Sequence, residues 1–325
     1  MRDRVDWIDA AKGFTMLLVI IGHCFDGYLK AHMFPDYTKQ LQFIFNFIYS
    51  FHMPLFFILS GFLYYYSYNN SCFEKIKSKA SELILLYFGY SIIQCLIQIA
   101  MAGKINSKIS FSDIYLLPIY TVPPYWYLYV LAFIYVISYS LRPLNITKFS
   151  IIVGLCMFSF IGKYIRIFSL SSIAYFLLFF TIGGVIALKR FDIQYKKIHC
   201  FFLIIIYLAI AIWGQLFGME KIANAILMSL IVISAFCSFD SLKSVRLFNL
   251  CGRYCLPIYL LHSYMTAGTR VVLRAFHINN IWIFILSGIV LGIIIPIISY
   301  RICNTCKSLE WIFRPSVLFQ KGISN

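Results

Sequence analysis

The chain alternates long apolar runs with short polar segments, and this pattern predicts a bundle of membrane-spanning helices. A bilayer core is about 30 Å thick, so one helical span needs roughly 20 mainly apolar residues. The runs are continuously apolar and lack the residue-by-residue alternation of barrel strands, so we expect an all-α, polytopic membrane fold. Ten runs fit, of which the fifth is the weakest, at residues 12–29, 41–66, 83–101, 125–141, 149–162, 171–188, 198–217, 222–239, 255–273 and 281–302.

The composition supports an integral membrane protein. Hydrophobic residues make up 61% of the 325 residues, charged residues make up 12%, and the mean hydropathy is +0.83. These values exclude an ordinary water-soluble enzyme or binding domain of this length. We expect a single membrane domain over residues 1–325, in which residues 304–325 form a cytoplasmic tail.

The basic residues predict the orientation of the spans. If the N-terminus lies in the cytoplasm, most of the 28 lysines and arginines fall in short cytoplasmic segments, as the positive-inside rule requires. An even number of spans then places both termini in the cytoplasm. The net charge of +16 is mostly this topology signal, and the basic residues are spread over many loops. We therefore expect the lipid bilayer, and no nucleic acid, as a partner.

Polar residues recur on one face of the first predicted helix. In lipid, such a face has to turn towards the protein interior or a hydrated cavity, because buried ionisable groups are costly. His23 lies about 16 Å along the helix axis from Lys12, which places Lys12 near the inner surface and His23 near the midplane. The members of this face, three or four residues apart, are Asp9, Lys12, Met16, Val19, His23 and Asp26.

The second predicted span brings another histidine to a similar depth. His52 lies about 16 Å from Leu41 at the outer end of that span, so its ring is expected to be able to approach His23 on an antiparallel neighbour. Pro54 removes a backbone hydrogen bond and is expected to kink the helix. Ser60 and Gly61 are expected to permit close helix contact.

A third polar face lies on the ninth predicted span. Tyr259, His262, Thr266 and Thr269 follow one another at spacings of three or four residues. Three histidines within three apolar spans favour a functional role over isolated structural burial.

Four segments, in this order and spacing, resemble the acyltransferase 3 family of bacterial membrane proteins. They are RVDWIDAAKGFTMLLVIIGH at 4–23, FHMPLFFILSGFL at 51–63, PYWYL at 124–128 and LPIYLLH at 256–262. The similarity covers about residues 4–303 and looks closest to the branch of fucose 4-O-acetylase-like and exopolysaccharide O-acetyltransferases. It implies about ten spans in a bacterial inner membrane, acetyl-CoA as the cytoplasmic donor, and a hydroxyl of a surface polysaccharide or lipid-linked glycan precursor as the acceptor.

The predicted reaction needs a base for the acceptor hydroxyl, and a neutral imidazole suits this task. His23 is the candidate base, with Asp26, Asp9 or His52 as orienting partners. An acetyl-histidine intermediate is the alternative to direct transfer. Cys251, Cys255, Cys303 and Cys306 have spacings that could in principle suit a zinc site. We expect no metal, because these cysteines are better explained as reduced, small apolar residues.

The phosphates of coenzyme A should meet cations at the inner surface. Lys12, Lys75 and Lys79 are the candidates, with Asp9 in the same donor-binding set. Many relatives have arginine at the position of Lys12, and lysine pairs with phosphate as a point charge instead of a bidentate fork. A role of the loop lysines as plain topology anchors at lipid headgroups is an equal alternative.

The acceptor is expected at the outer ends of the spans. Trp126 and Tyr125 begin the fourth span and are candidates to stack on a sugar, with His262 as a third acceptor-binding residue; an interfacial anchor is the alternative for the aromatics. The rival function is a polysaccharide or lipid-linked sugar transporter or flippase. Such proteins often contain internal repeats, and residues 1–162 and 163–325 show no convincing similarity.

Overall fold

A computed structural model describes most of the chain. The described residues are 6–68, 72–100, 110–121, 123–147, 149–162, 167–189, 201–202, 204–206, 221–306 and 308–317. Within these ranges the regular structure is helical and no strand occurs, which confirms the all-α prediction.

The helices follow the apolar runs, with short amphipathic or polar helices between them. α2 continues through Pro54 and α12 continues through Pro296. Single turns of 3-10 helix occupy Pro35–Tyr37 and Glu310–Ile312. The α-helices are α1 Asp6–Lys30, α2 Thr38–Tyr68, α3 Phe73–Ala100, α4 Phe111–Tyr115, α5 Trp126–Ser140, α6 Phe149–Gly162, α7 Phe168–Leu188, α8 Lys221–Ser238, α9 Asp240–Lys243, α10 Arg246–Arg253, α11 Cys255–Ala275 and α12 Ile281–Thr305.

Five helices in the described ranges are long and apolar enough to cross a membrane, namely α1, α2, α3, α7 and α12. α5 and α8 are shorter apolar helices. α11 has 21 residues, and its polar face lowers its hydropathy. The predicted span at 198–217 lies largely outside the described residues. The structure therefore supports a helical membrane protein with five candidate spans.

The chain divides into two compact units. Unit 1 comprises Met1–Leu59 and Arg190–Ser299, and unit 2 comprises Ser60–Lys189 and Tyr300–Asn325. The boundaries fall inside α2 and α12, so these two helices each contribute to both units.

In unit 1, α1 packs against α8, α10 and α11. The rings of Phe14 and Phe236 lie 5.6 Å apart. Two glycines bring the backbones of α1 and α10 together, because a Cβ at Gly13 would overlap the carbonyl oxygen of Phe248 and a Cβ at Gly252 would overlap that of Asp9. α10 is thereby fixed against the first turns of α1.

In unit 2, α2 packs against α5 and α7. A Cβ at Gly61 would overlap the carbonyl oxygen of Phe180, and the hydroxyls of Ser60 and Tyr127 lie 2.7 Å apart. This confirms the prediction that Ser60 and Gly61 permit close helix contact. Small residues allow such approach in membranes, where packing replaces much of the hydrophobic driving force.

The eight described cysteines are free, and the described residues contain no cluster of three or more histidine, cysteine or acidic side chains that could hold a metal ion. Cys251 and Cys303 are buried.

Candidate active site

The polar face of α1 turns into unit 1. Met16 and Val19 are buried, and the ionisable members Asp9, Lys12 and His23 are half-buried. The polar face of α11 turns inward as well, with exposures of 0% for His262, 7% for Thr266 and 8% for Thr269. The sequence-predicted faces of these two helices are therefore both directed at protein interior.

His23 and His262 are neighbours across the α1–α11 interface. Their ring centroids are 5.0 Å apart and their planes are tilted by 53°. His23 is half-buried, and its ring nitrogens form no hydrogen bond within the described part of the chain. His262 is completely buried beside it.

The backbone of α11 fixes the protonation of His262. Its Nδ1 lies 2.8 Å from the carbonyl oxygen of Tyr259 and 3.1 Å from that of Ile258, so Nδ1 donates the hydrogen bond. The neutral ring then carries its lone pair on Nε2, which is buried without a hydrogen-bond partner among the described residues. A buried acceptor without a partner is unfavourable, and such atoms cluster at functional sites.

His52 is the third buried histidine, with an exposure of 3%. Its Nδ1 donates to the carbonyl oxygen of Ile48 at 2.8 Å. The Tyr49 ring lies 4.7 Å from the His52 ring and 6.5 Å from the His23 ring, with both contacts near edge-to-face. Tyr49 thus connects the two histidines, and sequence reasoning missed it because a tyrosine in an apolar run carries no distinguishing signal.

The carboxylates expected to orient His23 have other partners. Asp26 accepts from Lys30 at 2.6 Å, and Asp9 lies 3.9 Å from the Nζ of Lys12. No hydrogen bond joins either carboxylate to His23 among the described residues. The ring next to His23 is instead His262, which the sequence had associated with the acceptor.

A polar cavity of about 540 Å³ opens at the first turns of α1. Asp6, Asp9, Lys243, Asn249 and Arg253 are among its lining residues. This cavity adjoins the end of α1 that carries Lys12. Its contributions from α9 and α10 were not predicted, because their polar residues looked like an ordinary cytoplasmic loop.

The remaining candidates belong to unit 2. Lys75 and Lys79 lie in the first turns of α3, and Lys79 pairs with Glu82 at 2.7 Å. Tyr125 is completely buried, 5.7 Å from the Tyr90 ring, so it presents no exposed ring face to a sugar. Trp126 is half-buried, 5.2 Å from the ring of Phe176.

The comparison with known families decides the class of protein. The family model of the acyltransferase 3 family, described as an acyltransferase domain, matches residues 5–301. The chain belongs to the acyltransferase 3 family. It is a membrane acyltransferase. No curated protein and no solved structure shows a significant match to it.

The family match covers nearly all of the membrane acyltransferase, including every site residue described above. Within unit 1, the match includes the half-buried His23 and the buried His262. Arg270 of α11, whose side chain lies against Gly27 of α1, was not among the predicted site residues, although it follows Thr266 by four residues on the same face.

Proposed function

We propose that this acyltransferase moves an acetyl group from cytoplasmic acetyl-CoA to a hydroxyl of a surface polysaccharide or of its lipid-linked precursor. The observation that carries the proposal is the accessible ring of His23 beside the buried ring of His262, 5.0 Å away between centroids. A neutral imidazole can take up a proton and return it within one catalytic cycle.

In the proposed reaction, the acceptor hydroxyl gives its proton to His23 while its oxygen attacks the carbonyl carbon of the thioester. The carbon–sulfur bond then breaks, and the thiolate of coenzyme A takes the proton from the His23 imidazolium. We assign the stabilisation of the imidazolium to the lone pair on Nε2 of His262, whose ring centroid lies 5.0 Å from that of His23. The step needs no metal. The proton that His23 takes from the acceptor hydroxyl leaves on the thiol of coenzyme A, so protons and charge balance.

The donor is proposed to enter from the cytoplasmic end of α1. Lys12 lies there, about 16 Å along the helix axis from His23. If the phosphates of coenzyme A bind near Lys12 and the thioester lies at His23, the pantetheine arm has to span this distance. Asp9 keeps the ammonium of Lys12 in place at 3.9 Å. Lys75 and Lys79 are further donor-binding candidates, on α3.

The acceptor is proposed to approach from the outer side. Of the two aromatic candidates Trp126 has the more accessible ring, since Tyr125 is fully buried. We further propose ten spans in a bacterial inner membrane with both termini in the cytoplasm, because the apolar runs and the distribution of basic residues support this topology.

The test compares the wild-type chain with His23→Ala in cells whose surface glycans are analysed for ester-linked acetyl groups. The expected result is acetylation with the wild type and none above background with His23→Ala. His277→Asn is the matched control, because His277 is an exposed histidine with φ of 54°, a conformation that asparagine tolerates. Equal acetylation by wild type and His23→Ala contradicts the mechanism, and no acetylation by the wild type contradicts the function.

A further inference from the structure

The side chain of Arg270 on α11 lies directly against the backbone of α1. A Cβ at Gly27 would overlap the Nη1 of Arg270 and would lie 3.2 Å from its Cζ. Glycine inside a helix costs about 1 kcal/mol relative to alanine, so a glycine here is best explained by the close approach of the guanidinium. The guanidinium of Arg270 therefore packs directly against the backbone at Gly27.

Within the part of the chain that the structure describes, no acid forms a direct ion pair with Arg270. The ionisable groups around it are Asp26, Tyr28, Cys24 and Arg274. Asp26 is the only acid of this group, and its carboxylate pairs with Lys30 at 2.6 Å. Within the described part of the chain, Arg270 itself forms no ion pair.

Three cations and one acid therefore meet at this end of the α1–α11 pair. We name Lys30, Arg270 and Arg274, together with Asp26, the outer basic cluster. In the proposed orientation the cluster lies on the external side, where membrane proteins carry few lysines and arginines. A partly buried arginine without an acidic partner is also costly. Neither the positive-inside rule nor the stability of the fold explains why these cations lie together. Their clustering therefore indicates that they bind a ligand.

The cluster lies close to the histidine pair. Gly27 follows His23 by one helical turn, which is about 6 Å along the axis of α1. Arg270 follows His262 on α11 in the same outward direction. A molecule whose hydroxyl reaches His23 from outside therefore passes the guanidinium within the length of about one sugar residue.

We propose that Arg270, seated on Gly27, binds an anionic group of the acceptor glycan, a carboxylate or a phosphate, next to the hydroxyl that is acetylated. This inference rests on the proposed function and names the acceptor class as an acidic or phosphorylated glycan. Arginine suits the role because its planar fork donates two parallel hydrogen bonds to carboxylate or phosphate oxygens. The anion supplies the negative charge that the outer basic cluster lacks.

The test uses the full chain in nanodiscs of phosphatidylcholine, with isothermal titration of three probes: methyl glucoside, methyl glucuronide and glucose 1-phosphate. We expect the wild type to bind at least one anionic probe about tenfold more tightly than the neutral one, the size of one charge-assisted interaction. Arg270→Gln should abolish this preference, and Gly27→Ala should weaken it because the added methyl group displaces the end of the Arg270 side chain; neither change should alter methyl glucoside binding. Lys39→Gln is the control, since it removes a positive charge from an exposed residue at the start of α2, on the same predicted side of the membrane but outside the outer basic cluster.

A wild type without preference for either anionic probe overturns the inference, as does an unchanged preference in Arg270→Gln or an equal loss in Lys39→Gln. Nanodiscs containing phosphatidylglycerol distinguish a lipid headgroup: if this lipid abolishes the preference at Arg270, the occupant is the headgroup and the acceptor assignment is overturned. Binding is measured without acetyl-CoA, so a failure of acetyl transfer is seen separately from a failure of this site.

Discussion

His23 on α1 and His262 on α11 face each other with ring centroids 5.0 Å apart. The ring of His23 is partly accessible, whereas that of His262 is completely buried and is held by two backbone carbonyls. The two histidines therefore have different positions in the proposed reaction: His23 meets the substrate, and His262 acts through His23. His262 is a positioning residue in this scheme.

His262→Asn separates the role of Nε2 from the role of Nδ1. The asparagine amide can still donate to the carbonyl oxygen of Tyr259, so we expect nearly unchanged thermal stability. Loss of the Nε2 lone pair should lower kcat for acetyl transfer by about tenfold or more, with little change in KM for acetyl-CoA. Turnover and unfolding temperature of the purified variant are the measurements. Wild-type kcat in His262→Asn contradicts the role assigned to Nε2.

Lys12→Gln should raise KM for acetyl-CoA several-fold, because the phosphates lose a cation at the inner end of α1. The increase should shrink as salt is added, since Lys12 is partly exposed and its charge is screened. Lys12→Arg should retain donor binding. Lys30→Gln, at the opposite end of the same helix, is the control and should leave this KM unchanged. If Lys12→Gln and Lys30→Gln behave alike, Lys12 does not bind the donor.

Gly61→Ala should destabilise unit 2 by about 1–3 kcal/mol, because its methyl group would overlap the carbonyl oxygen of Phe180 and force α2 and α7 apart. Gly89→Ala is matched to it, since nothing lies within 4 Å of a Cβ at Gly89 inside α3. That substitution should be neutral or stabilising by up to about 1 kcal/mol through helix propensity. Unfolding in detergent micelles measures both, and equal effects of the two substitutions would refute this packing.

Single-cysteine variants test the proposed orientation. Cys72 and Cys306 are exposed and lie in segments predicted to be cytoplasmic. A membrane-impermeant maleimide should therefore label each of them in inside-out vesicles and not in intact cells. Labelling of either residue in intact cells would reverse the orientation.

Cys251 provides the internal control for that experiment. Burial raises the pKa of its thiol to about 12, so almost none of it is thiolate at neutral pH. It should stay unlabelled from both sides of the membrane until the protein is denatured. Labelling of native Cys251 would show that α10 does not pack against α1 as described.

The pattern of apolar runs, read without the structure, was sufficient for the helical class because a bilayer core leaves little choice of backbone structure. It also predicted which faces of α1 and α11 turn inward, since a helical face is a local property fixed by spacings of three and four residues. The close contact at Gly61 was predicted for the same reason: a small residue in a membrane helix marks a place where a neighbour can approach.

The partners across those faces were decided only by the tertiary structure. Nothing in the order of residues distinguishes His52 from His262 as the neighbour of His23, because contacts between distant segments depend on how three helices pack together. The contact between Arg270 and Gly27 was also decided by the tertiary structure. It joins the long side chain of an arginine on α11 to a glycine on α1, and these two helices are far apart in the chain. The sequence alone determined the helices and their inward faces; the packing of α1 against α11 decided which side chains share the site.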